Sequence, residues 1–251
     1  MGERMKGGQA AVRALEHQGV DVVFGIPGVH TLEIYDALFD SSIKHVLARH
    51  EQGAGFMADG YARASGKPGV AVIITGPGIT NVMTAVGEAY TDSSPVFVLS
   101  SNVERAWAGK MLGHLHDLSD QLGVMSAVTK WNAQARSVAE VPALVGEAFK
   151  QMKNGRARPA HVEVPLDVLS EFGEANFPAA AESHPSAPDA ADIARAVELL
   201  IGAARIAIWC GGGAVSSAAG VAIGALAEQL GAPIITSTMG KGSVPDDHPM
   251  V

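Results

Sequence analysis

Short apolar runs alternate with amphipathic stretches through the first 170 residues. The runs predicted as strands are 22–24, 43–47, 70–75, 96–100 and 161–164, and the predicted helices are 9–18, one beginning near 31, one beginning near 51, 81–91 and 141–153. Continuous apolar runs are typical of parallel strands that are covered on both faces. The repeated alternation therefore predicts an α/β fold with a doubly wound parallel sheet and right-handed crossovers.

The helix predicted after Arg49 has small residues along most of one side. They are Gly53, Ala54, Gly55, Ala58, Gly60, Ala62 and Ala64. Each internal glycine costs a helix about 1 kcal/mol relative to alanine. We therefore expect another part of the protein to approach this helix backbone closely.

Two loops rich in glycine and proline follow predicted strands. The first is GIPG at 25–28, and the second is GPG at 76–78. Open α/β sheets bind their ligands at the carboxyl ends of the strands. We expect both loops to lie at that end of the sheet, beneath a less regular segment, 102–126, that contains HLHD at 114–117.

The composition of the chain changes after the last of these strands. Residues 171–189 are rich in alanine, proline, serine and glutamate, which predicts a linker. The strand and helix pattern restarts at residue 190, but too few residues follow to build a domain of ordinary size. We therefore expect a first domain over 1–170 and the truncated beginning of a second α/β domain over 190–251.

The bulk composition favours a globular protein that acts on small molecules. The chain has 251 residues, of which 47% are hydrophobic, and a formal charge of -8. It has no cluster of lysine and arginine, which argues against nucleic acid or an anionic membrane as a partner. No apolar run reaches about 18 residues, and residues 1–8 have no apolar signal core, so we expect a cytoplasmic protein. The single cysteine, Cys210, is expected to be a buried structural thiol.

Three short motifs suggest chemistry that their context disfavours. GGG at 211–213 resembles a dinucleotide fingerprint, but Ser216 stands where the third glycine belongs, so a tight turn is the better interpretation. GK at 66–67 is followed by proline and is not a Walker A motif. His114 and His116 have no cluster of Cys or Asp at ligand spacing, so we predict no metal site there, although one of them could line an active site.

Glu51, at the start of the small-residue helix, is the candidate catalytic residue. A carboxylate in a first helical turn is usually only a partner of the helix dipole, which contributes about 0.3 to 1 kcal/mol. Here the carboxylate follows a strand and precedes a helix of small residues, so we expect apolar surroundings. A carboxyl group in such surroundings could hold a proton and share it with a ring nitrogen.

Several segments carry a family resemblance when they are taken together. They are FGIPGVHTLEIYDAL at 24–38, RHEQGAGFMADGYARASGKPGVAVIITGPGITN at 49–81 and HVEVPLDVL at 161–169. These segments resemble the N-terminal pyrimidine-binding domain of thiamine-diphosphate-dependent enzymes, in the group of acetolactate synthase-like enzymes and 2-oxo acid decarboxylases. The segment 206–249 resembles the beginning of the central domain of that group.

The resemblance implies roles for particular residues. Glu51 matches the carboxylate that hydrogen-bonds N1′ of the aminopyrimidine and favours the imino tautomer, whose 4′-nitrogen removes the thiazolium C2 proton. The carbanion then attacks a 2-oxo acid, which loses CO2. The residues that match the two loops lining the pyrimidine ring are Pro27, Gly28, Thr75, Gly76, Pro77 and Asn81.

The chain departs from the family pattern at two points. Acetolactate synthases carry Phe-Gln at the positions of His116 and Asp117, and HLHDLSDQ at 114–121 is more similar to 2-oxo acid decarboxylases, including those that act on the guanidino acid derived from arginine. We therefore place His114, His116 and Asp117 on the substrate side. The family's GDG motif, which holds Mg2+ and diphosphate, is absent from the 251 residues, so Mg2+ is expected to bind through a further C-terminal domain.

The resemblance thus implies an enzyme that decarboxylates a 2-oxo acid and then protonates the enamine or joins it to a second carbonyl. The family binds its cofactor between subunits, so we expect a homodimer or homotetramer with the small-residue helix at the contact, and no activity from this chain alone. FAD occurs in this group, but nothing in the sequence supports it here. The alternative is a dinucleotide-binding or non-catalytic regulatory α/β module, and the identity of the substrate stays open.

Overall fold

The computed structural model describes residues 2–180 and 187–251. The chain divides into two separately packed units, residues 1–184 and 185–251. The boundary between the units falls inside the predicted linker range of 171–189, of which residues 181–186 lie outside the described residues.

A six-stranded parallel sheet forms the centre of the first unit. The strands of this unit are β1 (Glu3–Lys6), β2 (Val22–Gly25), β3 (Lys44–Leu47), β4 (Gly69–Ile73), β5 (Val96–Asn102), β6 (Trp131–Gln134), β7 (Ala160–Pro165) and β8 (Phe172–Ala175). The sheet has the order β3-β2-β4-β5-β7-β6, and each neighbouring pair is parallel. The predicted parallel sheet is therefore confirmed.

Helices cover both faces of this sheet. They are α1 (Gly7–His17), α2 (Leu32–Phe39), α3 (Glu51–Ser65), α4 (Pro77–Thr91), α5 (Gln121–Ser126), α6 (Glu140–Lys153) and α7 (Leu166–Ser170). Along β4, Val70 and Val72 pack into the core formed with α1, α2 and α6, whereas Ala71 and Ile73 pack into the core formed with α3 and α4. The apolar run is continuous because alternate residues face two different helix layers.

Three strands of the first unit, β1, β6 and β8, were not anticipated by the hydrophobic pattern. The edge strand β6 has the sequence WNAQ, which lacks an apolar run. β8 falls within the range predicted as a linker, but it pairs antiparallel with β1, from Phe172 opposite Lys6 to Ala175 opposite Glu3. The prediction that the linker begins at 171 is therefore wrong, because backbone pairing with a distant strand orders a segment whose composition favours irregular structure.

The second unit contains helices α8 (Ala190–Ile201), α9 (Gly212–Ser216) and α10 (Gly220–Leu230) and the parallel pair β9 (Ile208–Cys210) and β10 (Ile234–Thr236). Two helices, α9 and α10, follow the GGG turn, and the break between them contains Ala218, which has a φ of 52°. Cys210 is buried and unbonded to another cysteine. Within the described residues of the chain, no helix is long and apolar enough to cross a membrane.

The small residues of α3 permit close packing within the first unit. A Cβ placed on Gly55 would lie 2.7 Å from Cβ of Ala85 and 2.9 Å from a methyl group of Val82, both on α4. A Cβ placed on Gly53 or Gly60 would meet nothing within 4 Å. The close approach predicted for this helix is therefore made by α4 on one side, and its other side is open.

A buried polar pair joins β5 to β7. Ser100 Oγ and His161 Nε2 are 2.8 Å apart, and both residues are fully buried. Burial lowers the pKa of His161 to about 3 because the charged imidazolium would lose its hydration there. The folded first unit therefore holds a neutral histidine across most of the pH scale.

Alanine at two glycines of α3 should have opposite effects on stability. Gly55→Ala is expected to lower the free energy of unfolding by about 1 to 3 kcal/mol, because the new methyl group would collide with α4. Gly60→Ala is the matched control, and it should raise this free energy by up to about 1 kcal/mol through helix propensity alone. Urea unfolding of the chain measures both effects, and equal effects would contradict the packing described here.

Acidic pH should destabilise the first unit because His161 is neutral when folded and becomes protonated when unfolded. The stability linked to this group is fully present above the unfolded pKa of about 6.5 and is lost as the pH falls towards the folded pKa of about 3. Between pH 7.5 and pH 5, the free energy of unfolding is expected to fall by about 2 kcal/mol through this group.

Hydrogen exchange of the β5 and β7 amides at the two pH values would measure this loss. His161→Gln removes the titrating ring, so the pH dependence in this variant should be smaller by about the same 2 kcal/mol. A variant with the pH dependence of the natural protein would exclude this role for His161.

Candidate active site

Glu51 begins α3 at the carboxyl end of the sheet. Its Oε2 accepts a hydrogen bond from Nδ2 of Asn81 at 2.9 Å, and its Cγ lies 3.6 Å from the place of a Cβ on Gly78. Its Oε1 has no hydrogen-bond donor among the described residues. Glu51 is half-buried. Its surroundings are not the purely apolar ones that we expected, because the Asn81 amide contacts its carboxylate. One carboxylate oxygen is oriented by the protein, and the other can accept from a ligand.

The loop after β4 passes directly beside Glu51. Gly76 has a φ of 68°, a conformation that favours glycine, and Pro77 is the first residue of α4. Asn81 lies on the first turns of the same helix. The structure therefore brings Glu51 together with the turn and with Asn81, as the sequence analysis expected.

The loop after β2 lies against the same turn. A Cβ placed on Gly28 would be 2.5 Å from Cδ1 of Ile74, the first residue after β4. Gly28 is held by its backbone N–H, which donates to Thr31 Oγ1 at 3.1 Å, whereas Pro27 is exposed. Because β2 and β4 are neighbours in the sheet, the two loops meet at its carboxyl edge.

Thr75 is fully buried and bonded to other parts of the first unit. Its Oγ1 donates to Gln121 Oε1 at 2.7 Å, and the N–H of Gly76 donates to the same oxygen at 3.0 Å. The N–H of Thr75 donates to Ser101 Oγ at 3.1 Å. The Thr75 hydroxyl therefore helps to fix the conformation of the turn.

Gln121 and Glu163 connect this turn to the middle of the sheet. Gln121 Nε2 donates to the carbonyl of Ser101 and to Glu163 Oε2, each at 2.8 Å. Glu163 also accepts from Nδ2 of Asn102 at 2.8 Å and from Nε2 of Gln134 at 2.6 Å. Burial raises the pKa of Glu163, while the three amide donors act in the opposite direction. Sequence reasoning missed both residues, although a lone carboxylate in the buried strand HVEV was a usable signal.

The histidines of the 114–117 segment have different surroundings. His116 has a φ of 64°, and its Cβ lies 2.7 Å from the place of a Cβ on Gly76. His114 instead stacks on Trp107, with ring centroids 4.8 Å apart, and is exposed. The structure therefore places His116, and not the ring of His114, against the turn. Across residues 2–180 and 187–251, no three side chains of metal-ligating type are grouped.

His30 is a further residue that the sequence analysis missed. It follows the GIPG loop, is buried, and has its ring centroid 5.7 Å from that of His116. Burial and then the proximity of His116 lower the pKa of His30. Its position two residues after Gly28, the last residue of the GIPG loop, was the available signal.

Curated relatives match almost the whole chain. A protein named probable 2-ketoarginine decarboxylase AruI, from Pseudomonas aeruginosa, is 50% identical over 97% of this chain and 44% of its own length. A probable acetolactate synthase large subunit from Methanocaldococcus jannaschii is 40% identical over 98% of this chain and 42% of its own length. An acetolactate synthase from Mycobacterium bovis is 37% identical over 98% of this chain and 40% of its own length. The chain therefore spans less than half the length of these relatives.

Two family models match two separate parts of the chain. The N-terminal TPP binding domain of thiamine pyrophosphate enzymes matches residues 5–124. The central domain of the same enzymes matches residues 193–251. The two matches account for most of the sequence and agree with the six-stranded parallel sheet and the paired loops at its carboxyl edge. The chain belongs to the family of thiamine pyrophosphate enzymes.

Proposed function

We propose that the intact protein decarboxylates a 2-oxo acid with thiamine diphosphate and that Glu51 is the carboxylate that activates the cofactor. The observation that carries this proposal is the arrangement of the Glu51 carboxylate. Its Oε2 is bound to Asn81, its Oε1 has no donor within residues 2–180 and 187–251, and its Cγ lies beside the Gly78 position. A carboxylate held by one oxygen can share a proton through the other.

The residues present fit the aminopyrimidine end of thiamine diphosphate. Glu51 would hold the ring through Oε1, and Asn81 would keep this carboxylate in place. When bound, the cofactor supplies a carbon nucleophile and an electron sink for decarboxylation. The residues that would line the ring are Pro27, Gly28, Thr75, Gly76, Pro77 and Asn81. Mg2+ and the diphosphate would be held by a part of the enzyme beyond the pyrimidine-binding domain.

Decarboxylation is favoured over acetolactate synthesis by the 114–117 segment. His116 and Asp117 stand where the acetolactate synthases were expected to carry Phe-Gln, and His116 lies against the Gly76 turn. The relative with 50% identity is named for 2-ketoarginine. The first substrate to test is therefore the 2-oxo acid with a guanidinium end, followed by smaller 2-oxo acids.

We also propose a homodimer or homotetramer that uses the open side of α3. Phe56 and Met57 are 41% and 38% exposed on this helix. A Cβ placed on Gly53 or Gly60 would meet nothing within 4 Å. Large apolar side chains beside open glycines allow two backbones to approach closely and bury apolar area.

Glu51→Gln in the intact enzyme is expected to slow exchange of the C2 proton of bound thiamine diphosphate by about 10²- to 10⁴-fold, because an amide cannot supply the shared proton. Proton NMR after rapid quenching would measure the exchange. Glu88→Gln on the exposed side of α4 is the matched control and should exchange at the natural rate. Natural exchange in Glu51→Gln would remove Glu51 from this role.

A bulky charge on the open side of α3 should dissociate the oligomer. Gly60→Arg in the intact enzyme is expected to shift the sedimentation coefficient to that of a monomer, because the side chain would occupy the contact and bring an unpaired charge into it. Asp40→Arg, at the exposed end of α2, is the control. An intact oligomer in Gly60→Arg would place the contact elsewhere.

A further inference from the structure

Four buried polar atoms near the Gly76 turn have no hydrogen-bond partner among the described residues. They are Nδ1 of His30, Nδ1 of His116 and both carboxylate oxygens of Asp117. A buried carboxylate without donors is costly because it has lost hydration without compensation. Asp117 is therefore the group in this set that most requires a hydrogen-bond donor from a bound ligand.

The backbone fixes Asp117 next to the candidate active site. Its N–H donates to the carbonyl of His114 at 3.1 Å, and it directly follows His116, whose Cβ lies 2.7 Å from the place of a Cβ on Gly76. Gly76 in turn precedes the helix that carries Asn81, the partner of Glu51. Asp117 thus belongs to the same loop cluster as the proposed cofactor-activating carboxylate.

The Asp117 carboxylate has no hydrogen-bond partner among the described residues. Arg105, on the same long loop, is occupied by Asp167 and Glu171 at 2.7 Å and 2.9 Å. The His30 ring, which packs against His116, favours its neutral form because burial lowers its pKa. Within the described residues, no hydrogen bond therefore compensates the buried oxygens of Asp117.

We propose that Asp117 binds the positively charged end of the 2-oxo acid substrate and that this end is a guanidinium. The inference rests on the proposed decarboxylation at this site and adds the residue that selects the substrate. Both carboxylate oxygens lack donors in the part of the chain that the structure describes, and a planar guanidinium offers two parallel N–H groups to such a pair. An ammonium group is a compact point charge that cannot match both oxygens in the same way.

The test compares two substrates of nearly the same shape in the intact enzyme with thiamine diphosphate and Mg2+. One is 5-guanidino-2-oxopentanoate, and the other is the neutral 5-ureido-2-oxopentanoate. We expect Asp117→Asn to lower kcat/KM for the guanidino acid by about 10- to 100-fold, the range of a charge-assisted hydrogen bond. The loss for the ureido acid should be at most about fivefold, because its N–H groups donate to the carboxylate without a positive charge. Asp117→Glu should recover part of the loss, and Asp40→Asn should change neither substrate.

Two results would overturn the assignment of Asp117. An equal loss for both substrates would show that Asp117 acts on a step that is common to them. Natural kcat/KM values for both substrates in Asp117→Asn would show that the carboxylate makes no contact with the cationic end.

A binding measurement separates this inference from the proposed function. 5-Guanidinopentanoate lacks the 2-oxo group and cannot be decarboxylated, so calorimetry with it reports recognition alone. Binding to the natural enzyme that weakens at least about tenfold in Asp117→Asn would support the inference, even if no 2-oxo acid were decarboxylated. Absence of binding to the natural enzyme, or equal binding to the variant, would overturn it.

Discussion

The candidate site depends on one buried amide, that of Gln121. Its oxygen accepts from Thr75 and Gly76, and its nitrogen donates to Ser101 and Glu163. A primary amide offers two acceptor positions and two N–H donors, so this arrangement uses all four. Reversal of the amide would place donors against donors at the turn and acceptors against acceptors at Glu163. The amide therefore holds a glycine-containing turn in one conformation.

A second constraint sets the position of Glu51 against this turn. α3 begins with Glu51 and packs along α4 because Gly55 leaves room for Val82 and Ala85. Asn81, one residue before Val82, then reaches the carboxylate. The helix contact and the polar pair consequently depend on each other: a wider separation of α3 and α4 would also separate Glu51 from the amide that orients it.

The polar groups of the site fall into two sets with different meanings. Beneath the turn, Gln121 and Glu163 are saturated by protein partners, which makes this set a support for the backbone. Beside the turn, His30, His116 and Asp117 each have buried atoms without a partner in the described parts of the chain. Buried polar groups are normally satisfied, so the second set differs from the first in having unused bonding capacity, which the proposed substrate contact at Asp117 would use.

The sequence by itself determined the alternation of strands and helices, the close approach at α3 and the two loops at the carboxyl edge, because these follow from local residue types and short spacings. It did not reveal β1, β6 and β8, which are ordered by pairing with distant strands. Only the tertiary structure joined Gln121 to Thr75 and to Glu163, which are 46 and 42 residues away. Polar contacts at such separations leave no periodic signal, since their geometry exists only after the sheet and its covering helices have assembled.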